Sequence, residues 1–170
     1  MVPRVDRRPL IAAGTLLGVG MGGFVDGILF HQILQVHGML SAKYARTTLV
    51  NVELNMFWDG IFHAFTWIMT AFGLALLWRC GQRADVSWST RTFLGSLLLG
   101  AGTFNLIEGI INHHILNIHH VVERLGLSAW DFVFLALGGG LLILVGLALI
   151  RSGRGDLIVS SAASEWRDPG

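Results

Sequence analysis

Cysteine and charged residues are scarce in this sequence of 170 residues, and each scarcity excludes a class of protein. The single cysteine, Cys80, excludes an internal disulfide and any metal site built on a Cys-x-x-Cys motif. Only 14% of the residues are charged, whereas ordinary soluble domains have about 25%. The sequence also has no basic stripe that would indicate nucleic-acid binding, no nucleotide-binding loop and no nucleophile elbow.

Long apolar runs dominate instead, with 53% hydrophobic residues and a mean hydropathy of +0.62. Four stretches reach the roughly 20 apolar residues that cross a bilayer. They are Leu10–Leu34, Met56–Trp78, Phe93–Ile118 and Trp130–Ile150. We therefore predict an all-α integral membrane four-helix bundle that forms a single domain over residues 10–150. A retained first helix is expected after a short N-terminal segment, residues 1–9, and a polar, flexible tail is expected over residues 151–170.

Basic residues are distributed unevenly between the two ends of the predicted bundle. With four spans, both termini lie on one side, which collects Arg4, Arg7, Arg8, Arg79, Arg83, Arg91, Arg151, Arg154 and Arg167. The other side has only Lys43, Arg46 and Arg124. The positive-inside rule therefore predicts cytoplasmic termini, with the loops Gly38–Asn55 and His119–Ala129 outside.

An internal repeat relates the first span to the third. Leu16–His37 aligns without a gap to Leu98–His119 at an offset of 82, and ten of the 22 positions are identical. The match keeps the pattern acid–Gly–x–x–x–His–x–x–x–x–x–His, whose polar residues are disfavoured in lipid. The segments FWDGIFH and AWDFVFL of the second and fourth spans echo each other more faintly. We predict two parallel two-helix repeats, at residues 10–78 and 93–150, related by a rotation about the membrane normal.

Titratable residues inside the spans are the strongest functional signal, because a charge at membrane depth costs a few kcal/mol or more. They lie towards the outer end of every span, and all seven histidines belong to this layer. Imidazole and carboxylate groups are ligands of iron, manganese, zinc and oxidised copper, and a bound cation offsets the cost of burying them. The predicted metal ligands are Asp26, His31, His37, Asp59, His63, Glu108, His113 and His119.

Helical geometry limits which of these residues can meet. On a straight α-helix, Asp26 and His37 share a face at roughly 20° separation, whereas His31 lies roughly 140° away from Asp26. Two outcomes are compatible with this spacing. Either Gly27 permits a distortion that brings all three together, or His31 serves one centre while the acid and the outer histidine serve another.

The two halves are not chemically equal, because Leu135 stands where the first half has His63. We therefore expect an asymmetric centre, in which His63→Leu lowers the metal content sharply. Asp131→Asn is expected to do much less, since Asp131 fits the role of an acid at a helix start. Contact with headgroups and water would also explain His37, His114 and His120.

Three segments resemble a family of small, four-helix bacterial membrane proteins of unknown function. They are GGFVDGILFHQILQVHGMLS, MFWDGIFHAFTWI and EGIINHHILNIHHV, and the resemblance extends from Leu10 to Ile150. It implies the four-helix topology and a place in the bacterial cytoplasmic membrane. It implies no activity, so only the residues themselves indicate a function.

Several functions fit this outer layer of acids and histidines. The leading prediction is a membrane metalloprotein with a mononuclear or dinuclear His/carboxylate site for redox or oxygen chemistry, with iron or copper favoured over zinc. A metal-handling or metal-insertion protein for an extracytoplasmic enzyme is the first alternative. A b-type cytochrome is the next, although haem requires an apolar pocket where this layer has carboxylates. A zinc hydrolase of lipid amides or esters also remains open. The expected partners are the lipid bilayer and a redox or metal-receiving protein, with no nucleic acid; an oligomer is left open.

Overall fold

The computed structural model describes residues 6–153, and over this range the chain forms four long helices with no β-strand. The helices are α1 (Arg8–Ile33), α2 (Leu49–Gly81), α3 (Thr90–Ile115) and α4 (Ala129–Ser152). Each is long and apolar enough to cross a membrane, which confirms the all-α architecture with four candidate spans. Most of the predicted tail and of the N-terminal segment lies outside the described residues.

Helix α2 begins earlier than the sequence predicts, and its first turns have a structural task. Thr48 caps the helix by accepting a hydrogen bond from the Asn51 N–H at 3.3 Å. The buried Asn55 side chain accepts from the Leu40 N–H at 3.0 Å and donates to the Tyr44 carbonyl at 2.9 Å. These bonds hold the loop that follows α1 against α2. With 33 residues, α2 is about 50 Å long, so it exceeds the roughly 30 Å of bilayer hydrocarbon.

Helices α1 and α3 form the centre of the bundle, while α2 packs on α1 and α4 packs on α3. Two glycines permit the close approach of α1 and α3: Gly18 faces the Leu97 carbonyl, and Gly100 faces the Thr15 carbonyl. A methyl group at either glycine would clash with that carbonyl oxygen, so the crossing requires glycine. The contacts are reciprocal across the offset of 82, as a two-fold rotation would produce. The rotation itself stays a prediction.

Helices α1 and α3 change from α to π geometry near the residues of interest, over Val25–Ile33 and Gly109–Ile115. In a π-helix the N–H binds the carbonyl five residues back, so residues five apart lie close to one helical turn apart. This period matches the spacing from Asp26 to His31. Of the two predicted outcomes, the structure therefore shows the distortion around Gly27, which brings Asp26 and His31 together.

Both central helices end in the same unusual turn. Gln35 follows α1 with φ 50°, and Asn117 follows α3 with φ 47°, a conformation that non-glycine residues seldom adopt. The chain therefore reverses and brings His37 and His119 back towards the bundle. The assumption of one continuous helix through His37 is wrong, because the helix ends at Ile33. The approach of His37 to Asp26 results from this turn and not from a shared helix face.

Candidate metal centre

Four buried imidazoles meet at the end of the bundle where α1 and α3 finish and α2 and α4 begin. They belong to His31, His37, His113 and His119, and each residue is only 1–2% exposed. The ring centroids lie 4.6 Å apart for His31 and His37, and 4.9 Å apart for His113 and His119. The rings of His37 and His119 also stack, nearly parallel, at 4.9 Å. Since these rings are almost fully buried, their nitrogen atoms need hydrogen-bond partners close by.

The first half of the cluster combines one carboxylate with two imidazoles. Asp26 lies 3.3 Å from His31 Nε2 and 3.6 Å from His37 Nε2. The opposite ring nitrogens face acceptors: His31 Nδ1 donates to Asp59 at 2.8 Å, and His37 Nδ1 donates to the Val121 carbonyl at 3.1 Å. A proton on Nδ1 of each ring satisfies these oxygens, which only accept, and leaves Nε2 turned towards Asp26. Metal-binding histidines are oriented in this way.

The second half has a similar arrangement, with the difference that His119 Nε2 is hydrogen-bonded to its inner carboxylate, Glu108. Glu108 Oε1 lies 3.5 Å from His113 Nε2 and 2.8 Å from His119 Nε2. His119 Nδ1 donates to the Met39 carbonyl at 3.0 Å. His113 Nδ1 lies 3.0 Å from Asp131 Oδ1, a close contact whose angles fall outside a hydrogen bond. Residues 82 apart therefore have equivalent partners in the two halves.

The outer carboxylates, Asp59 and Asp131, connect the two halves through the backbone. Asp59 Oδ1 accepts the Met39 N–H at 2.9 Å, and Asp131 Oδ1 accepts the Val121 N–H at 3.0 Å. The carbonyls of Met39 and Val121 accept hydrogen bonds from histidines of the opposite half: Met39 from His119, and Val121 from His37. Each loop thus orients an imidazole that belongs to the other repeat. The imidazole cluster cannot form in one half alone.

Asp131 has both the predicted role at a helix start and a second one, beside His113. Its Oδ2 accepts the Ser128 N–H at 2.9 Å and the Ser128 hydroxyl at 3.2 Å, as expected for an acid at a helix start. Its Oδ1 faces His113 at the same time. The sequence held a signal for this second role, because the Trp-Asp pair of α4 aligns with the Trp-Asp pair of α2, in which Asp59 contacts His31.

His63 lies outside the cluster. Its Nδ1 donates to the Asp59 carbonyl in its own helix at 2.8 Å, and its ring stacks with Phe24 at 6.2 Å. Its Nε2 faces Gly27, where a methyl group would lie only 2.6 Å away.

Two groups of side chains have ligand atoms close enough to hold a metal ion. Within each group the ligand atoms lie within 4.8 Å of one another. The groups are His31, His37 and His119, and Glu108, His113 and His119.

Contact with lipid headgroups and water was the alternative explanation for His37, His114 and His120, and the structure places these three histidines in different surroundings. His37 is 1% exposed, so contact with water and headgroups does not describe it. His114 packs against Phe132, with ring centroids 5.0 Å apart, and lies outside the cluster. His120 is buried, and its Nδ1 lies 3.6 Å from Asp131 Oδ1. His120 therefore lies behind the centre, on the side of the outer carboxylate.

The stacked pair His37 and His119 differs in proton affinity. Burial disfavours a charged imidazole and holds the pKa of His37 below its ordinary value. Burial acts on His119 in the same direction, but the hydrogen bond with Glu108 and the charge of that carboxylate outweigh it, so the pKa of His119 is raised.

All the ion pairs of Asp26 and Glu108 in the described structure are with histidines. The centre is thus rich in carboxylates and suited to cations.

A family model described as "Predicted membrane protein (DUF2243)" matches residues 13–153. The chain belongs to this family. The match covers every predicted metal ligand and all of α1 except its first five residues. None of the curated proteins or solved structures matches the chain. Membership in DUF2243 confirms a membrane protein and supports the resemblance that the acid–histidine segments indicate.

A polar cavity of about 470 Å³ reaches the centre of this DUF2243 protein from the first half. His31 and Asp59 form its inner wall, and Gln35, Arg46 and Asn55 line it further out. Gln35 and Arg46 lie beyond the membrane spans, and the Arg46 guanidinium donates to the Gln35 carbonyl at 2.7 Å. The cavity therefore offers water and small polar solutes a route to the His31–Asp59 pair.

Proposed function

We propose that this protein is a membrane metalloprotein with two transition-metal ions in a His/carboxylate centre. One ion would be held by His31 and His37 together with Asp26, whose carboxylate lies 3.3 and 3.6 Å from their Nε2 atoms. The other would be held by Glu108, His113 and His119. His119 also forms a group with His31 and His37, but we assign it to the second ion because its Nε2 lies 2.8 Å from Glu108. The orientation of the imidazoles carries this proposal: their Nδ1 atoms face protein oxygens while their Nε2 atoms converge on the two inner carboxylates. Such outer partners fix the tautomer and direction of metal-binding histidines.

Iron is the metal that fits this donor set best. Two imidazoles and one carboxylate, with further positions open, form the ligand set of non-haem iron(II) sites. Oxidised copper and zinc also accept these ligands, and copper is the second choice. Because iron and copper are redox-active, we propose redox or oxygen chemistry as the use of the centre.

The geometry favours ions over haem and a resident metal over an exchanging one. The stacked rings of His37 and His119, 4.9 Å apart, leave no room for a macrocycle between them. The four imidazoles are almost fully buried and held by outer partners, which suits a metal that stays bound. A metal-transfer protein would need ligands that exchange readily.

Elemental analysis of protein purified without a histidine tag or added metal tests this function. We expect about two iron or copper ions per folded chain, retained during dialysis against a chelator. Absence of stoichiometric metal would contradict the proposal. Complete loss to the chelator within minutes would favour metal handling, and a haem band in a reduced-minus-oxidised visible spectrum would favour a cytochrome.

We also propose that the centre lies in the extracytoplasmic half of a bacterial inner membrane, with both termini in the cytoplasm. The distribution of basic residues supports this orientation, since nine lie on the side of the termini and three on the side of the centre. A reporter that works only outside the cytoplasm should be active when inserted near Lys43 and inactive when fused after Ile150. The opposite pattern would invert the topology.

A further inference from the structure

A second cavity, of about 410 Å³, lies between α2 and α3. Trp58, Ile61 and Phe65 form its α2 wall, and Phe104 and Ile107 form much of its α3 wall. All five residues lie within the membrane spans, and the lining is almost entirely apolar. Its size falls in the range of about 300–1,000 Å³ that small-molecule sites occupy.

One part of the cavity wall is polar and belongs to the metal centre. Glu108 and Asn112 both line the cavity, and the Asn112 amide donates to Glu108 Oε1 at 3.1 Å. Glu108 Oε2 is buried without a hydrogen-bond partner. A molecule in the cavity would therefore have an apolar wall along most of its length and a carboxylate of the centre at one side.

The two halves differ at this wall. Phe30 stands 82 residues before Asn112, and its ring stacks on His37 with centroids 6.1 Å apart. The phenyl ring covers the imidazole in the first half, whereas the equivalent residue in the second half is a smaller, polar amide. An apolar cavity of about 330 Å³ also lies on the equivalent face of α1, but neither Asp26 nor Phe30 lines it. The apolar cavity of the second half therefore reaches an inner carboxylate, whereas its counterpart in the first half does not.

We propose that this cavity binds a single-chain amphiphile with an uncharged, oxygen-bearing head, such as a long-chain alcohol or aldehyde, drawn from the membrane. The inference rests on the proposed function, because the head would lie beside the ion held by Glu108. The apolar walls favour a hydrocarbon chain, while a polar molecule would lose hydrogen bonds there. An anionic head would meet the carboxylates of the centre, so a neutral head fits better.

Photolabelling with a dodecanol that carries a diazirine in its chain tests this inference. Labels should concentrate on residues of the α2 and α3 walls, saturate with probe concentration, and be displaced by unlabelled dodecanol about tenfold better than by dodecane. Ile61→Trp should fill the cavity and remove the saturable labelling. Val133→Trp is the matched control, because Val133 occupies the equivalent position in α4, has similar exposure and does not line the cavity.

Labelling that spreads over all lipid-facing helices without saturation would overturn the cavity as a binding site. Equal loss of labelling in Ile61→Trp and Val133→Trp would also overturn it. The metal content of each sample is measured separately, so the two proposals can fail separately. Saturable labelling of a chain that holds no metal would contradict the metal centre and keep the cavity, whereas a metal-loaded chain without saturable labelling would contradict the cavity alone.

Discussion

Replacement of His113 by alanine is expected to remove about half of the bound metal, because one of the two proposed ions loses a ligand. His113 is 2% exposed, and its two nitrogens face Glu108 and Asp131. The substitution also removes one partner from each carboxylate, and breaking a buried ion pair costs roughly 3–5 kcal/mol where it leaves a charge unpaired. Glu108 keeps His119 and Asp131 keeps Ser128 and Val121, so we expect a smaller loss of stability than that. Elemental analysis and thermal unfolding in detergent, on folded and monodisperse fractions, measure both effects.

His114→Ala is the matched control, since the neighbouring histidine packs against Phe132 and lies outside the cluster. We expect it to keep the metal content of the wild type. The double variant His31→Ala/His113→Ala should bind no metal, because it removes one ligand from each half. Loss of all metal from His113→Ala alone would contradict two separate ions, and equal metal content in His113→Ala and wild type would contradict the assignment of this ligand.

Asp131→Asn is expected to lower the metal affinity about 10–100-fold, the usual effect of removing an outer partner of a ligand. Asp131 Oδ1 lies 3.0 Å from His113 Nδ1 and accepts the Val121 N–H. An asparagine can still accept at the helix start, but it presents no negative charge to the imidazole. His63→Leu should change the affinity little, because the His63 ring stacks on Phe24 outside the cluster and donates to the backbone of its own helix.

The sequence alone predicts the opposite ranking, with a large effect of His63→Leu and a small effect of Asp131→Asn. Measuring both variants therefore shows whether the ranking from the sequence or the ranking from the structure is right. The measurement is a metal titration in competition with a chelator of known affinity. Asp59→Asn provides the second comparison, because Asp59 faces His31 as Asp131 faces His113. A sharp loss of metal affinity in His63→Leu, with that of Asp131→Asn unchanged, would contradict the structure-based ranking and support the one predicted from the sequence.

The helices could be predicted from the sequence because the length and hydropathy of a run are local properties. The four predicted spans agree with α1 to α4 except at the start of α2. Its early turns, with Asn51, Glu53 and Asn55, are too polar to count as a span. The structure extends the helix because Thr48 caps it and Asn55 binds the neighbouring loop. The tertiary contacts of these residues were not visible in the composition.

Most of the candidate centre could also be predicted, because the repeat keeps acids and histidines where lipid disfavours them. The offset of 82 pairs Asp26 with Glu108, His31 with His113, and His37 with His119, and the members of each pair have similar contacts in the structure. Their use as metal ligands stays a prediction. The way in which they approach one another could not be predicted from regular α-helical geometry.

The sequence by itself determined that four apolar helices carry a repeated acid–histidine pattern, since residue type and spacing are enough to establish both. Only the tertiary structure decided that Asp131 faces His113 while His63 turns away. The direction of a side chain depends on the rotation and crossing of its helix, which the contact of Gly18 with Leu97 helps to set. It depends also on the π geometry of α1 and the turn at Gln35, which shift the hydrogen-bond register. These features arise from packing between segments distant in the chain, so a local spacing rule cannot specify them.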